Sequence, residues 1–103
     1  MKSTMLKMEL MNGEEVELTL NFARLLKVKN FNKRLYEEFM NALKNKDFDI
    51  IFDSMKVLYV AYLCANSDKL NEVMGEEEFL ENIPMDMAMI NEKVAELITP
   101  KKK

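Results

Sequence analysis

A chain of 103 residues and 12.1 kDa has the size of a single domain. It is 49 % hydrophobic and 32 % charged with a net charge of −3, a composition typical of folded globular proteins and not of disordered ones. It contains no histidine and one cysteine, which argues against histidine-based acid–base catalysis, Cys–His nucleophiles, ordinary zinc sites and an intrachain disulfide. The sequence pI of about 5.1 offers no general attraction for nucleic acid.

The first twenty residues predict a β-hairpin. Apolar residues alternate with more polar ones along two segments, Leu6, Met8 and Leu10 in the first and Val16, Leu18 and Leu20 in the second. A two-residue turn at Asn12-Gly13 would mix apolar and acidic side chains on one face. A three-residue loop, Met11-Asn12-Gly13, instead pairs Met8 with Val16 and Leu6 with Leu18 and gives a wholly apolar face. We therefore predict the three-residue loop, with Gly13 at a positive φ.

Helical patterns fill the rest of the chain. The predicted segments are 22–29, a second helix capped by Asn30 or Asn32 and running to about Asn45, a third over 48–66 capped by Asp47, a turn at Leu70, Val73 and Met74 that Gly75 ends, a short helix from Glu76, and a last helix with Pro84 in its first turn that runs to about Ile98. The buried stripe of the second helix is predicted at Leu35, Phe39, Met40 and Leu43. The third helix is apolar nearly all round from Met55 and should be central.

These elements define the predicted fold class as α+β, mainly α. An N-terminal hairpin over 4–20 packs on a bundle of about four to five helices from 22 to 98, because an isolated hairpin is only marginally stable. We expect one domain over 1–100 and a disordered basic tail at 101–103. The longest apolar run, Val57–Ala65, has nine residues and is too short to span a membrane. With no secretion signal visible, the expected location is cytoplasmic.

No residue pattern indicates an enzyme, a cofactor site or a metal site. The acidic clusters read as helix caps and solvated faces, since adjacent carboxylates on a helix point in different directions. Cys64 lies within the apolar third helix and is predicted to be buried and unreactive. The two glycines are isolated, so they form no phosphate-binding loop.

Charge is distributed unevenly along the chain. Residues 24–46 carry a net charge of +5 and residues 67–86 a net charge of −6. Three interpretations are open: the two blocks neutralise each other within the fold, the basic block binds nucleic acid, or the chain self-associates head to tail into rings or filaments that are sensitive to salt. The candidate self-association residues are Lys27, Lys29, Lys33 and Arg34 in the basic block and Glu76, Glu77, Glu78 and Glu81 in the acidic block.

Methionine is abundant, with ten residues in the chain, and several lie in or near the last helix. The apolar residues of that region cover two adjoining helix faces, which is wider than one small core easily covers. They either fill an ordinary core or form an adaptable apolar surface for a partner helix. The candidate partner-binding residues are Met85, Met87, Met89, Ile90, Val94 and Leu97.

The order of these features resembles a known family. The hairpin ending Glu17-Leu18-Thr19-Leu20-Asn21-Phe22 leads directly into Arg24-Leu25-Leu26, and a long apolar helix, the acidic turn Gly75-Glu76-Glu77-Glu78-Phe79-Leu80-Glu81 and a closing helix follow. This arrangement resembles, over essentially the whole chain, the small tail assembly chaperones of long-tailed bacteriophages of Gram-positive hosts. The resemblance implies a non-enzymatic chaperone in the host cytoplasm, absent from the mature virion.

The resemblance also implies partners. Many copies of such a chaperone coat the helical tape-measure protein, keep it soluble and leave as tail tube subunits arrive; a longer form made by frameshifting recruits the tube protein. The lysine codons of Pro100-Lys101-Lys102-Lys103 are compatible with such a frameshift. The resemblance therefore predicts a homo-oligomer that binds neither nucleic acid nor membrane. The alternative from another class is a small regulatory inhibitor or antitoxin-like protein that blocks one partner through its exposed methionine-rich helix.

Overall fold

The computed structural model describes residues 5–44 and 52–98. It has an N-terminal two-stranded antiparallel hairpin followed by five α-helices, so the predicted fold class is confirmed. The elements are β1 (Leu6–Glu9), β2 (Glu15–Leu18), α1 (Phe22–Phe31), α2 (Lys33–Lys44), α3 (Phe52–Ala65), a 3-10 turn (Leu70–Glu72), α4 (Glu76–Glu81) and α5 (Met87–Ile98). The basic tail predicted at 101–103 and the predicted N-cap Asp47 lie outside the described residues.

The register of the hairpin is the predicted one. Leu6 pairs with Leu18 and Met8 pairs with Val16, which places the apolar side chains of both strands on one face. Met8, Val16 and Leu18 are buried against the helices. The parity of the apolar positions was therefore sufficient to determine which residues face each other.

The turn of the hairpin is also as predicted. The Leu10 amide donates to the Glu14 carbonyl at 2.8 Å and the Gly13 amide donates to the Leu10 carbonyl at 2.9 Å, so Met11-Asn12-Gly13 is the loop. Gly13 has a φ of 91°, a conformation in which any other residue type is strained. The Asn12 side chain accepts the Glu14 amide at 2.9 Å and fixes the end of the loop.

Helix α3 is the centre of the fold. All its residues from Val57 to Cys64 are buried, and the helix is in contact with β2, α1, α2, α4 and α5. The Thr19 amide, directly after β2, donates to the Ala61 carbonyl of α3 at 3.2 Å and ties the hairpin to this helix. The prediction of a central helix that is contacted from several sides is confirmed.

Two asparagines begin the first two helices. The Asn21 side chain accepts the Arg24 amide at 2.9 Å, and the Asn32 side chain accepts the Leu35 amide at 3.1 Å. Each side chain satisfies one of the amides that a helix leaves without an intrahelical acceptor in its first turn. Asn32 is thus the cap of α2, and α1 runs two residues further than predicted, to Phe31.

Three local predictions are wrong. Gly75 does not end a helix; it is the N-cap of α4, with an ordinary φ of −69°. Pro84 lies before α5, which begins only at Met87, because the Asp86 side chain accepts the Met89 amide at 3.1 Å and caps the helix there. Leu43, predicted to belong to the buried stripe of α2, is exposed, and the small Ala42 is buried in its place.

Candidate functional site

The predicted partner surface in the last third of the chain divides into an exposed residue and buried ones. Met85 is 91 % exposed, whereas Ile90 and Val94 are only 2 % and 5 % exposed. Ile90 and Val94 lie one helical turn apart on the side of α5 that packs into the core, so their assignment to an exposed binding surface is corrected. The remaining candidates, Met87, Met89 and Leu97, are half-buried and pack against the same core.

A second exposed apolar surface lies on α1 and was not identified from the sequence. Phe22 is 84 % exposed and Leu26 is 57 % exposed. They are four residues apart on one side of the helix, which we call the α1 apolar face. The inward residues of α1 are Leu25 and Val28, three residues apart. That spacing was the available signal, since it leaves Phe22 and Leu26 beside the buried stripe and not within it.

Helix α1 is held in place from its polar side. One terminal nitrogen of the Arg24 guanidinium donates to the Cys64 carbonyl at 2.9 Å and to the Ser67 hydroxyl at 3.3 Å. These bonds attach the first turn of α1 to the C-terminal end of α3, where backbone carbonyls lack intrahelical donors. The α1 apolar face is therefore presented by a helix that is anchored on its opposite side.

The candidate basic residues are partly paired within the chain. Lys27 forms an ion pair with Asp68 at 3.0 Å, and Lys29 lies over the Tyr36 ring with its Nζ 5.5 Å from the ring centroid. The other two form pairs within α2, Lys33 with Glu37 at 4.0 Å and Arg34 with Glu38 at 3.3 Å. All these pairs are largely exposed, and such pairs contribute little and exchange readily. Of these pairs, Lys27–Asp68 joins the basic block to the acidic block, so neutralisation within the fold accounts for a small part of the charge asymmetry.

One candidate acidic residue, Glu76, belongs to a structural cluster. The Lys56 ammonium lies 2.7 Å from Glu76 Oε2 and 2.8 Å from Glu38 Oε1, so one cation joins α2, α3 and α4. The hydrogen bond from Lys56 lowers the pKa of Glu38 below its ordinary value. Burial alone would lower the pKa of Lys56, but its bonds to both carboxylates outweigh burial and raise it. The other candidate glutamates, Glu77, Glu78 and Glu81, are exposed.

Aromatic residues fix the segment that leads to Met85. The Phe79 ring of α4 stacks on the Tyr62 ring of α3 with centroids 4.8 Å apart. The Tyr59 hydroxyl donates to the Met74 carbonyl at 2.9 Å, and the Met74 amide donates to the Tyr62 hydroxyl at 3.1 Å. Burial, assisted by the charge of Glu76, raises the pKa of Tyr59 to about 12. The segment before α4 is thus fastened to α3 by both of its backbone polar groups at Met74.

The chemistry-bearing groups remain dispersed. Cys64 is buried, and burial raises the pKa of its thiol to about 12, as expected for an unreactive cysteine. Over residues 5–44 and 52–98, no three cysteine, aspartate or glutamate side chains are grouped so that they could hold a metal ion. An open groove of about 400 Å³ beside β2 has mixed charges on its walls, including Lys7, Glu17 and Lys69.

Comparison with protein-family models, with curated proteins and with solved structures gives no match to this chain. Among the helices that the structure describes, none is both long and apolar enough to cross a membrane. The candidate functional site is therefore defined by the surface itself: the α1 apolar face and Met85, on a domain whose core is otherwise closed over α3.

Proposed function

We propose that this chain is a non-enzymatic tail assembly chaperone of a long-tailed bacteriophage. In this role it coats the helical tape-measure protein, keeps it soluble and helps to recruit tail tube subunits. The observation that carries the proposal is that large apolar side chains, Phe22, Leu26 and Met85, lie more than half exposed on a domain with a well-packed core. Exposed apolar side chains grouped on one helix face, as Phe22 and Leu26 are, form the kind of surface that binds other proteins.

The chemistry of the surface suits a reversible chaperone. A fully buried Phe, Leu or Met side chain contributes about 1.5–3 kcal/mol, so each apolar contact of one copy, with the client helix or with a neighbouring copy, is weak. Many copies along one long helix gain affinity from effective concentration, and each copy can still leave singly. The flexible thioether of Met85 suits an apolar contact that has to form and release.

The proposal includes the partners and location that the family resemblance implies. The chain acts as a homo-oligomer, a ring or a helical filament, in the host cytoplasm and is displaced before the virion is complete. A frameshifted longer form would bring in the tail tube protein. Neither nucleic acid nor a membrane takes part.

The direct test begins with the neighbouring gene, where we expect a very long helical open reading frame immediately downstream. That protein is expressed with and without this chain, and its soluble fraction is measured. We expect the chain to raise the soluble fraction, and the double variant Phe22→Asp/Met85→Asp to lose most of this effect because its charges oppose apolar contact. Leu43→Asp, a charged substitution at an exposed leucine elsewhere on the domain, is the matched control.

Two results would contradict the proposal. The first is an unchanged soluble fraction of the long helical protein when the folded chain is present in excess. The second is a defined one-to-one complex with a single partner whose activity is blocked, which would favour the inhibitor alternative. Coating requires several copies per client, so the stoichiometry of the purified complex separates the two functions.

A further inference from the structure

Two exposed surfaces of the chain have complementary charge. Helix α1 carries three basic residues, Arg24, Lys27 and Lys29, and no acidic one. Helix α4 carries four glutamates and no basic residue, and its C-terminal end leads through Asn82–Pro84 to Met85. An exposed apolar group thus accompanies each charge: Phe22 and Leu26 on the basic side, and Met85 on the acidic side.

Neither surface covers the other within one chain. Phe22 and Met85 are 84 % and 91 % exposed, so each meets water and not its counterpart. The first turn of α1 is anchored to the C-terminal end of α3 at Cys64, whereas the start of α4 is anchored by Lys56, eight residues earlier in the same helix. At 1.5 Å per residue the two anchoring points are about 12 Å apart along α3.

The charged side chains of these two surfaces are only partly paired within the chain. Lys27 and Lys29 are exposed, and their partners, Asp68 and the Tyr36 ring, are single contacts at the surface. The exposed glutamates Glu77, Glu78 and Glu81 have no ion-pair partner among the described residues. Both surfaces therefore keep charge available for a second molecule.

We propose that the occupant of the α1 apolar face is a second copy of this chain. Met85 of one copy packs on Phe22 and Leu26 of the next, and the exposed glutamates of α4 face Lys27 and Lys29. The contact joins two different surfaces, so it is head to tail, and an open row of copies keeps one free surface of each kind, one at each end. The apolar pair supplies affinity and the charges supply orientation and rate of association.

This inference rests on the proposed function for its purpose, since a chain of copies is what would line a long client. Charge alone does not define the contact. Of the candidates for self-association, Glu76 is held by Lys56 of the same chain, and Arg34 pairs with Glu38 on the surface of α2. The apolar side chains beside the charges, and not the ion pairs themselves, determine the contact.

The test uses two complementary variants of the full chain in sedimentation velocity. Phe22→Asp places an acidic group opposite the glutamates, and Met85→Asp places a carboxylate against the apolar pair Phe22 and Leu26. Where the two substituted surfaces meet, their carboxylates repel each other. Wild type should form species larger than a dimer as concentration rises. Each variant alone should self-associate at least about tenfold more weakly, the factor that corresponds to less than one fully buried side chain of this size.

Mixing the two variants is the decisive measurement. Phe22→Asp retains an intact Met85 surface and Met85→Asp retains an intact α1 apolar face, so an equimolar mixture should form a dimer and nothing larger, because the two remaining surfaces carry like charges. Leu43→Asp should assemble as wild type does. Circular dichroism and thermal unfolding of each variant check that the fold is intact, as expected for positions this exposed.

Several results would overturn the inference. They are a wild type that stays monomeric or stops at a dimer, either single variant assembling like wild type, and a mixture of monomeric variants that gives no dimer. If Phe22→Asp loses the long helical client but still self-associates, the α1 apolar face binds the client and the inference fails while the proposed function stands. If assembly follows the scheme but the client stays insoluble, the proposed function fails and the interface stands.

Discussion

Lys56 is the side chain on which the arrangement of three helices depends. It is half-buried, and its ammonium forms hydrogen bonds to Glu38 of α2 and Glu76 of α4. Breaking such a pair is costly when the remaining charges stay desolvated, but both carboxylates here are partly exposed, so water reduces the cost.

We expect Lys56→Met to lower the free energy of unfolding by about 1–2 kcal/mol at pH 7, because two carboxylates would then face each other without a cation. Urea unfolding followed by circular dichroism measures this. Lys69→Met, at an exposed lysine, is the matched control and should change stability by less than about 0.5 kcal/mol. Equal effects of the two substitutions would show that the cluster contributes nothing.

The same cluster predicts a pH dependence. The pKa of Glu38 is lower in the folded chain than its ordinary 4.5, so its stabilising contribution is fully present above that value and is lost as pH falls through the folded pKa. The stability difference between wild type and Lys56→Met should therefore shrink below about pH 4.5. A difference that stayed constant between pH 7 and pH 3 would contradict this.

Cys64 gives a chemical measure of the closed core. Burial raises the pKa of its thiol to about 12, so almost none of it is thiolate near neutral pH. We expect a thiol reagent at pH 8 to label the folded chain at least about a hundredfold more slowly than the chain in denaturant. Equally rapid labelling in both states would mean that α3 is accessible in the native protein.

At the scale of the elements, the hairpin turn requires a positive φ at one residue, Gly13. A Cβ at Gly13 or at Gly75 would meet no atom within 4 Å, but only Gly13 has a positive φ. We expect Gly13→Ser to destabilise the chain by about 1 kcal/mol, whereas Gly75→Ser should be neutral or slightly stabilising because serine is a good N-cap for α4. Neither added Cβ meets a neighbouring atom, so the difference in thermal unfolding between the two variants reports the cost of the positive φ at Gly13.

Helix α5 has a buried side, and the sequence analysis did not distinguish its residues from the exposed ones. Ile90→Ala should lower the free energy of unfolding by about 2–4 kcal/mol, because it removes buried methyl groups beside α3. Met85→Ala, with the same class of change at an exposed site, should stay within about 0.5 kcal/mol of wild type. Similar losses at both positions in denaturant unfolding would contradict the division of this surface.

The hairpin and α5 differ in how much of their structure could be predicted from the sequence. Side chains alternate strictly along a strand, so the apolar positions of two strands admit one register, and the hairpin was predicted to the residue. The apolar positions of a helix remain compatible with a range of rotations about the helix axis, so they do not fix which side is buried. In addition, the start of α5 at Met87 depends on the Asp86 cap. The contact of Lys56 with Glu38 and Glu76 joins residues about twenty positions apart, and no local pattern encodes it.

At the scale of the whole molecule, the fold separates what stabilises it from what is offered to partners. The core is built around α3 and closed by the hairpin, while Phe22, Leu26 and Met85 contribute little to it. A domain of this size is stable by only about 5–15 kcal/mol, so exposing a binding surface made of core residues on each release would endanger the fold. Exposed residues avoid that conflict.

Assembly should respond to ionic strength in a graded way. The Debye length falls from about 8 Å at 0.15 M salt to about 3 Å at 1 M. In the proposed contact, this screens the α1 lysines of one copy from the α4 glutamates of the next and leaves the apolar contact intact. We expect light scattering to show smaller assemblies at 1 M salt without complete dissociation. Assemblies that grow with salt would indicate that like-charge repulsion dominates instead.

Two backbone hydrogen bonds affect how closely copies of this chain can be packed without pairing through their strands. The Met11 amide in the hairpin loop donates to the Asn82 carbonyl at 2.8 Å, and the Thr19 amide directly after β2 donates to the Ala61 carbonyl, so the hairpin is tethered to the helical part of the fold at its loop and at the end of β2. Two short strands fastened in this way offer a poor template for strand addition. Copies placed side by side along a client, as the proposed function requires, would thus touch through side chains without fusing into a cross-β aggregate.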